Sequence, residues 1–138
     1  MIKKRNKMNN RKVVLNNIQF DSKLESEFYL HLNDLKDKHL IKDFRMKERF
    51  LLLDSFSPTQ TGEDINFIFS QLDKDRKRTR ISYIPDFVIV LNDNSEIVVD
   101  TKGHKTDSFM MKKKLFESKY DKKLFLVKKQ NKKWIEVK

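Results

Sequence analysis

Asp86, Asp100 and Lys102 are the residues of this chain whose types and spacing could do chemistry. Asp86 lies in the run Tyr83-Ile84-Pro85-Asp86-Phe87-Val88-Ile89-Val90, and the other two in Glu96-Ile97-Val98-Val99-Asp100-Thr101-Lys102-Gly103. These apolar, β-branched runs flank Leu91-Asn92-Asp93-Asn94-Ser95, whose Asn, Asp and Ser residues favour turns, so the stretch reads as a β-hairpin. A turn centred near Asp93 sets Asp86 opposite or almost opposite Asp100, with Cβ atoms about 4.5–5.5 Å apart, and Lys102 points to the same face as Asp100. Two carboxylates that close repel unless a cation or a shared proton intervenes. A hard divalent ion, Mg²⁺ or Mn²⁺, would answer that repulsion with oxygen ligands, and the chain offers no cysteine and only three scattered histidines for a softer metal. The competing reading is a solvated hairpin with Lys102 as a surface partner. A D…DxK pattern matches by chance in a lysine-rich chain, so its context has to decide.

A third carboxylate stands on the first predicted helix. Ser22-Lys23-Leu24-Glu25 carries the Ser-x-x-Glu capping signature, and Leu24, Phe28, Leu32 and Leu35 fall within about 80° of one another on a wheel of ~100° per residue. Glu25 edges this apolar stripe, whereas Glu27 falls on the solvent side. Glu25 can point toward the hairpin, or cap the helix by bonding the Ser22 backbone, and both readings stand at this level. Upstream, Val13-Val14-Leu15 and Ile18-Gln19-Phe20 bracket Asn16-Asn17 as a small hairpin. The helix ends at Asp37-Lys38-His39, and Ile41 to Leu53 reads as one strand interrupted by charge at Lys47-Glu48-Arg49. Residues 54–80 read as an excursion with a short helix near Glu63 to Leu72, ending in the basic segment Asp73 to Arg80. Past the hairpin, Asp107 or Ser108 caps a helix that runs through Lys119. Phe109, Leu115, Phe116 and Tyr120 form its apolar side, and Lys112, Lys113 and Lys114 its basic edge. Leu124 to Val127 and Trp134 to Val137 read as two closing strands about a lysine-rich turn. Of the histidines, His31 and His39 lie far from any second ligand, and His104 reads as a loop residue or phosphate contact.

With 138 residues the chain has the length of one domain: a basic arm at 1–12 and a single domain over 13–138. Absence of cysteine excludes a disulfide framework and Cys-based zinc or redox sites. The longest apolar runs are five or six residues, too short to span a bilayer, and no apolar signal segment opens the chain. The sequence therefore predicts a soluble, cytoplasmic protein without a membrane partner. The net charge of +11 is concentrated at the ends. Residues 1–12 carry six basic side chains, Lys3, Lys4 and Arg5 among them, and no acid, while residues 112–138 carry eleven lysines against Glu117, Asp121 and Glu136. The middle of the chain is left slightly acidic. A polyanion held by the two ends would lie over the central carboxylates, which makes nucleic acid the expected partner.

Helix, strand, hairpin, helix and strand occur in the order in which Glu25, Pro85-Asp86 and Asp100-Thr101-Lys102 resemble the motifs of the PD-(D/E)XK nuclease superfamily. More narrowly, Phe20-Asp21-Ser22-Lys23-Leu24-Glu25, Tyr83 to Phe87, Val99 to Gly103 and Lys112 to Phe116 resemble a phage-encoded family of small nucleases. That family is similar in build to Holliday-junction resolvases and transposase-subunit endonucleases. The resemblance covers roughly residues 13–128 and rests on four separated motifs in order. It implies a restriction-endonuclease-like αβββαβ core, an α/β fold (α+β in its mixed sheet) of four or five strands flanked by helices. It further implies Glu25, Asp86 and Asp100 as Mg²⁺ or Mn²⁺ ligands and Lys102 as the catalytic lysine. Asp100 stands where many relatives have Glu, and Lys47 where the family often shows Gln.

The expected function is thus a metal-dependent endodeoxyribonuclease, with Lys3, Lys4, Arg5, Lys112, Lys113 and Lys114 contacting DNA phosphates, acting in the host bacterial cytoplasm as the phage resemblance implies. The chain has no helix-turn-helix or zinc-finger reading module, and lysine acts on phosphate as a point charge that carries little sequence information. Branched DNA, such as a Holliday junction formed in phage recombination, is the expected substrate. A homodimer would match its symmetry. The alternatives are a non-catalytic nucleic-acid-binding protein and a sequence-specific restriction-like or homing endonuclease.

Overall fold

A computed structural model describes residues 12–58, 68, 77–102 and 105–138. Strands β1 (Val13–Leu15) and β2 (Ile18–Phe20) pair antiparallel across Asn16 and Asn17, both at positive φ (50° and 63°), a conformation that asparagine tolerates and that tight hairpins require. Helix α1 (Lys23–Asp37) starts where the Ser22 hydroxyl accepts the Glu25 amide at 3.1 Å. His39, at φ 57°, closes its C-terminal end.

The residues from Ile41 to Leu53 form two strands rather than one. β3 (Asp43–Met46) and β4 (Phe50–Leu53) are separated by Lys47, whose φ of 54° turns the chain out of the first sheet. β3 pairs with β6 (Phe87–Val90), whereas β4 pairs with β5 (Ile81–Tyr83) in a two-stranded ribbon. That ribbon is fixed over the second helix by the Tyr120 hydroxyl, which donates to the Leu51 carbonyl at 2.8 Å, and by Phe50 edge-on to Phe116. The helix expected near Glu63 to Leu72 lies outside the described residues except for Ile68, and the arm at 1–12 lies outside them except for Lys12.

β6 and β7 (Glu96–Thr101) form the expected hairpin with Phe87 opposite Val99 and Val90 opposite Glu96. Helix α2 (Asp107–Tyr120) then carries the chain to β8 (Leu124–Gln130), parallel to β7, and β9 (Lys133–Glu136) returns antiparallel to it. The cap of α2 is Thr106, not Asp107 or Ser108: its hydroxyl accepts the Phe109 amide at 3.1 Å. Asp107 falls in the first turn, where a negative charge is favoured by the helix dipole.

The outcome is an α+β fold built on a five-stranded mixed sheet in the order β3-β6-β7-β8-β9, with two helices among the described residues. Strand alternation divides the core. Phe87, Ile89 and Val99 pack with Phe28 and Leu32 of α1, while Val88, Val98, Leu124 and Leu126 pack with Phe109 and Phe116 of α2 and with Tyr83 of the ribbon. Among the described residues, no helix is long and apolar enough to cross a membrane.

Candidate active site

Glu25 sits in the first turn of α1 and is 1 % exposed, more buried than Leu24 of the apolar stripe. A buried carboxylate needs donors. Glu25 Oε2 accepts the Asp21 amide at 3.1 Å, and not the Ser22 amide of a regular capping box. Oε1 lies 2.9 Å from Lys47 Nζ, yet off the axis of a hydrogen bond, and has no hydrogen-bond partner among the described residues. Burial and the neighbouring charge of Asp86 push the Glu25 carboxyl up from its ordinary range, with Lys47 opposing them.

Lys47 is the hub. Its left-handed backbone turn between β3 and β4 is fastened by its own amide, which donates to the Asp86 carbonyl at 3.3 Å. From there its ammonium reaches Glu25 Oε1 and Asp86 Oδ1, both at 2.9 Å, and Asp21 Oδ2 at 3.1 Å. Burial works against the charge, but the charge of Asp86 and the close contacts with these three carboxylates outweigh it and hold the ammonium above its ordinary pKa. A fixed cation thus stands where Glu25 and Asp86 converge.

Asp86 and Asp100 are neighbours at one end of the sheet, but their carboxylates serve different partners. The Asp86 amide donates to Asp100 Oδ1 at 3.2 Å, while Asp86 Oδ2 folds around the end of β7 to accept the Thr101 amide (2.8 Å) and hydroxyl (2.7 Å). Asp100 shares the face of Val98, under α2, where the Tyr83 hydroxyl donates to its Oδ2. Burial, and then the Asp86 charge beside it, push the Asp100 carboxyl up to about 7. Asp86 moves the other way: against its burial, hydrogen bonding with Asp100 and the charge of Lys47 hold it below its ordinary range. Lys102 Nζ lies 3.4 Å from Asp100 Oδ2 and 4.9 Å from the centroid of the Phe109 ring, so its ammonium is braced between a carboxylate and an aromatic face.

Among the described residues no three Asp, Glu, His or Cys side chains are gathered as a cage for a metal ion. The donor chemistry nonetheless fits a hard divalent cation. Glu25 and Asp86 direct one oxygen each at a single point, and the Glu25 oxygen lacks a hydrogen-bond donor. Magnesium is commonly held by one or two carboxylates while keeping several waters, so this pair is an adequate protein contribution, with Asp100 adjoining. The sequence motifs thus point to Glu25, Asp86, Asp100 and Lys102, which all lie at this end of the sheet. Asp21, Tyr83, Thr101 and the central position of Lys47 are site features that the sequence motifs do not point to. Tyr83 carried a signal, since it stands in the same Tyr-Ile-Pro-Asp run as Asp86, but its partner Asp100 is reached only through the ribbon.

Of the expected DNA contacts, Lys112 and Lys113 on α2 are half-buried and Lys114 is exposed, while Lys3, Lys4 and Arg5 lie outside the described residues. The closing strands about the lysine-rich turn are the β8–β9 hairpin. β8 pairs with β7 only as far as Thr101 opposite Val127, and then continues with β9 past the end of β7, carrying Lys128, Lys129, Lys132 and Lys133. Lys129 Nζ lies 3.6 Å from Glu27, one turn or less from Glu25 on α1, so this hairpin stands beside the carboxylate end of the sheet.

No curated protein and no solved structure matches the chain. The family model DUF1064, described as a protein of unknown function, matches residues 5–135, and the chain accordingly belongs to that family.

Proposed function

We propose that the protein is a metal-dependent endonuclease of PD-(D/E)XK type that hydrolyses DNA phosphodiester bonds, with branched DNA as its substrate. The observation that carries this reading is the convergence of Glu25 and Asp86 on one cation position, with the Asp100–Lys102 pair adjoining at the same end of the sheet. A divalent ion bound there would supply a water of lowered pKa and neutralise charge on the scissile phosphate. Glu25 and Asp86 would hold that ion, and Asp100 would complete their set once it gives up its proton. Lys102, its ammonium over the Phe109 ring, would offer a positive charge to the phosphate oxygens as negative charge builds in the transition state. Tyr83 and Thr101 would orient Asp100 and Asp86.

Phosphates flanking the cut would meet the exposed lysines of the β8–β9 hairpin and of α2, whose point charges grip the backbone without reading bases. A homodimer placing two such sites on a symmetric junction would make paired cuts. The test is incubation of the purified chain with linear, nicked, single-stranded and four-way-junction DNA in Mg²⁺, Mn²⁺ or EDTA. Metal-dependent cleavage that favours the junction is the expected result. Cutting confined to one short sequence in linear duplex would move the protein to the restriction-like class, and intact DNA under every condition would leave it a binding protein.

A further inference from the structure

Three carboxylates, those of Asp21, Glu25 and Asp86, surround the single ammonium of Lys47 at 2.9–3.1 Å. If all three are ionised, one positive charge leaves this cluster net negative, although Glu25 is almost fully buried and one of its oxygens still lacks a hydrogen-bond donor. The ammonium comes to the cluster from the solvent side, on a side chain that remains 38 % exposed, so it has a path outward. Lysine is a compact ion on a flexible four-carbon stem, suited to leaving one set of partners for another.

We propose that Lys47 is a built-in stand-in for the metal: its ammonium holds Glu25 and Asp86 together in the metal-free protein and is displaced outward, still protonated, when a divalent cation enters between them. This inference rests on the metal-site reading above and extends it to a residue whose charge opposes metal entry. It has two thermodynamic consequences. Removing the charge must tighten metal binding, because the competitor is gone, and must also weaken the metal-free fold, because Glu25 is left buried without its cation. A static counter-ion that remained beside the metal would also oppose its binding by repulsion, so displacement is distinguished by the Lys47 ammonium itself, which must leave its carboxylates as the metal saturates.

The experiment is a calorimetric titration of Mn²⁺ into wild type, Lys47→Gln, Lys47→Met and Asp86→Asn, with thermal unfolding of each in EDTA and in Mn²⁺. On wild-type protein, the ¹⁵N-resolved NMR signal of the Lys47 ammonium is followed through a Mg²⁺ titration. The expected result is a Kd for Mn²⁺ at least tenfold lower in both neutral variants than in wild type. Their melting temperatures in EDTA fall below that of wild type and rise more steeply with Mn²⁺. In wild type, the hydrogen-bonded Lys47 ammonium signal is lost as Mg²⁺ saturates. Should one neutral variant fail to fold in EDTA, its folding on Mn²⁺ addition, together with the wild-type NMR titration, reads the same competition. Equal or weaker Mn²⁺ binding by the neutral variants, or an ammonium signal that persists at Mg²⁺ saturation, overturns the displacement while leaving the metal site intact, provided that Asp86→Asn abolishes binding. No Mn²⁺ binding by wild type or by either neutral variant overturns the displacement and the metal-dependent reading together.

Discussion

Asp86 and Asp100 belong to the same hairpin but are shifted in opposite directions: hydrogen bonding with Asp100, the charge of Lys47 and the Thr101 amide favour the charged form of Asp86, whereas burial and the Asp86 charge disfavour that of Asp100 against the hydrogen bond from Tyr83. The proposed chemistry predicts that Asp86→Ala, Asp100→Ala and Lys102→Ala each reduce Mg²⁺-dependent nicking to background while the proteins stay folded and bind DNA. Full nicking activity in any one of the three, purified and assayed on plasmid, removes that residue from the site. A second prediction concerns the metal-free protein. Asp100 has a folded-state pKa of about 7 against an ordinary value of 3.8, so the folded chain holds a proton that the unfolded chain gives up. Its stabilising contribution is complete below the ordinary value and is lost as pH rises toward 7, and the upward shift of Glu25 has the same sign. In EDTA, then, the melting temperature of wild type should fall as pH is raised from 5 to 7.5, and Asp100→Asn should flatten that slope. A wild-type profile that is level or rising over this interval contradicts the assignment.

Helices α1 and α2 both start from hydroxyl caps, and α1 alone carries one of the site carboxylates. Ser22 and Thr106 each accept an amide at 3.1 Å three residues on, and removing such a cap costs about 1 kcal/mol. The first turn of α1 also delivers Glu25, so loosening it should disturb the carboxylate as well as the helix. Ser22→Ala and Thr106→Ala are expected to lose similar stability in urea unfolding, with only Ser22→Ala weakening Mn²⁺ binding severalfold. Equal metal affinities would show that Glu25 is held by its burial and not by the cap. The ribbon of β4 and β5 plays the corresponding part for Asp100, since Tyr83 pairs with Phe50 on one side and donates to Asp100 on the other.

At the scale of the molecule, the lysines of the β8–β9 hairpin and the carboxylate site share one end of the sheet. The β8–β9 hairpin turns at Asn131 and Lys132, both at positive φ, and presents exposed Lys132 and Lys133 past the last residue of β7. Lysines that meet only phosphates contribute affinity that is independent of sequence and falls with salt. The double charge reversal Lys132→Glu/Lys133→Glu should therefore weaken binding to all DNA alike and flatten the plot of log affinity against log salt, while leaving the melting temperature within a few degrees of wild type. Removal of residues 1–12 should have the same sign. An unchanged salt slope in either variant, measured by fluorescence anisotropy, would take that segment out of the DNA contact surface.

Local patterns were enough to read the β6–β7 hairpin and its register, the Ser22 cap and the closing strands, because each depends on residues close in the chain: alternation, a turn of Asn and Asp, a hydroxyl three residues before its amide. What happens at Lys47 is of another kind. Its Nζ meets Asp21 and Asp86, 26 and 39 residues away, and nothing near position 47 announces either partner. The same holds for the parting of β3 from β4, since β4 leaves the main sheet for a strand, β5, on the far side of residues 54–80. Glu25 could be read as a cap or as a site residue from the helix alone, and packing drew it inside beside Lys47. Short-range periodicity determined which carboxylates the chain would offer and on which elements. Only the tertiary structure decided which cation they share, because opposite charges distant in sequence find one another through the packing of the elements that carry them.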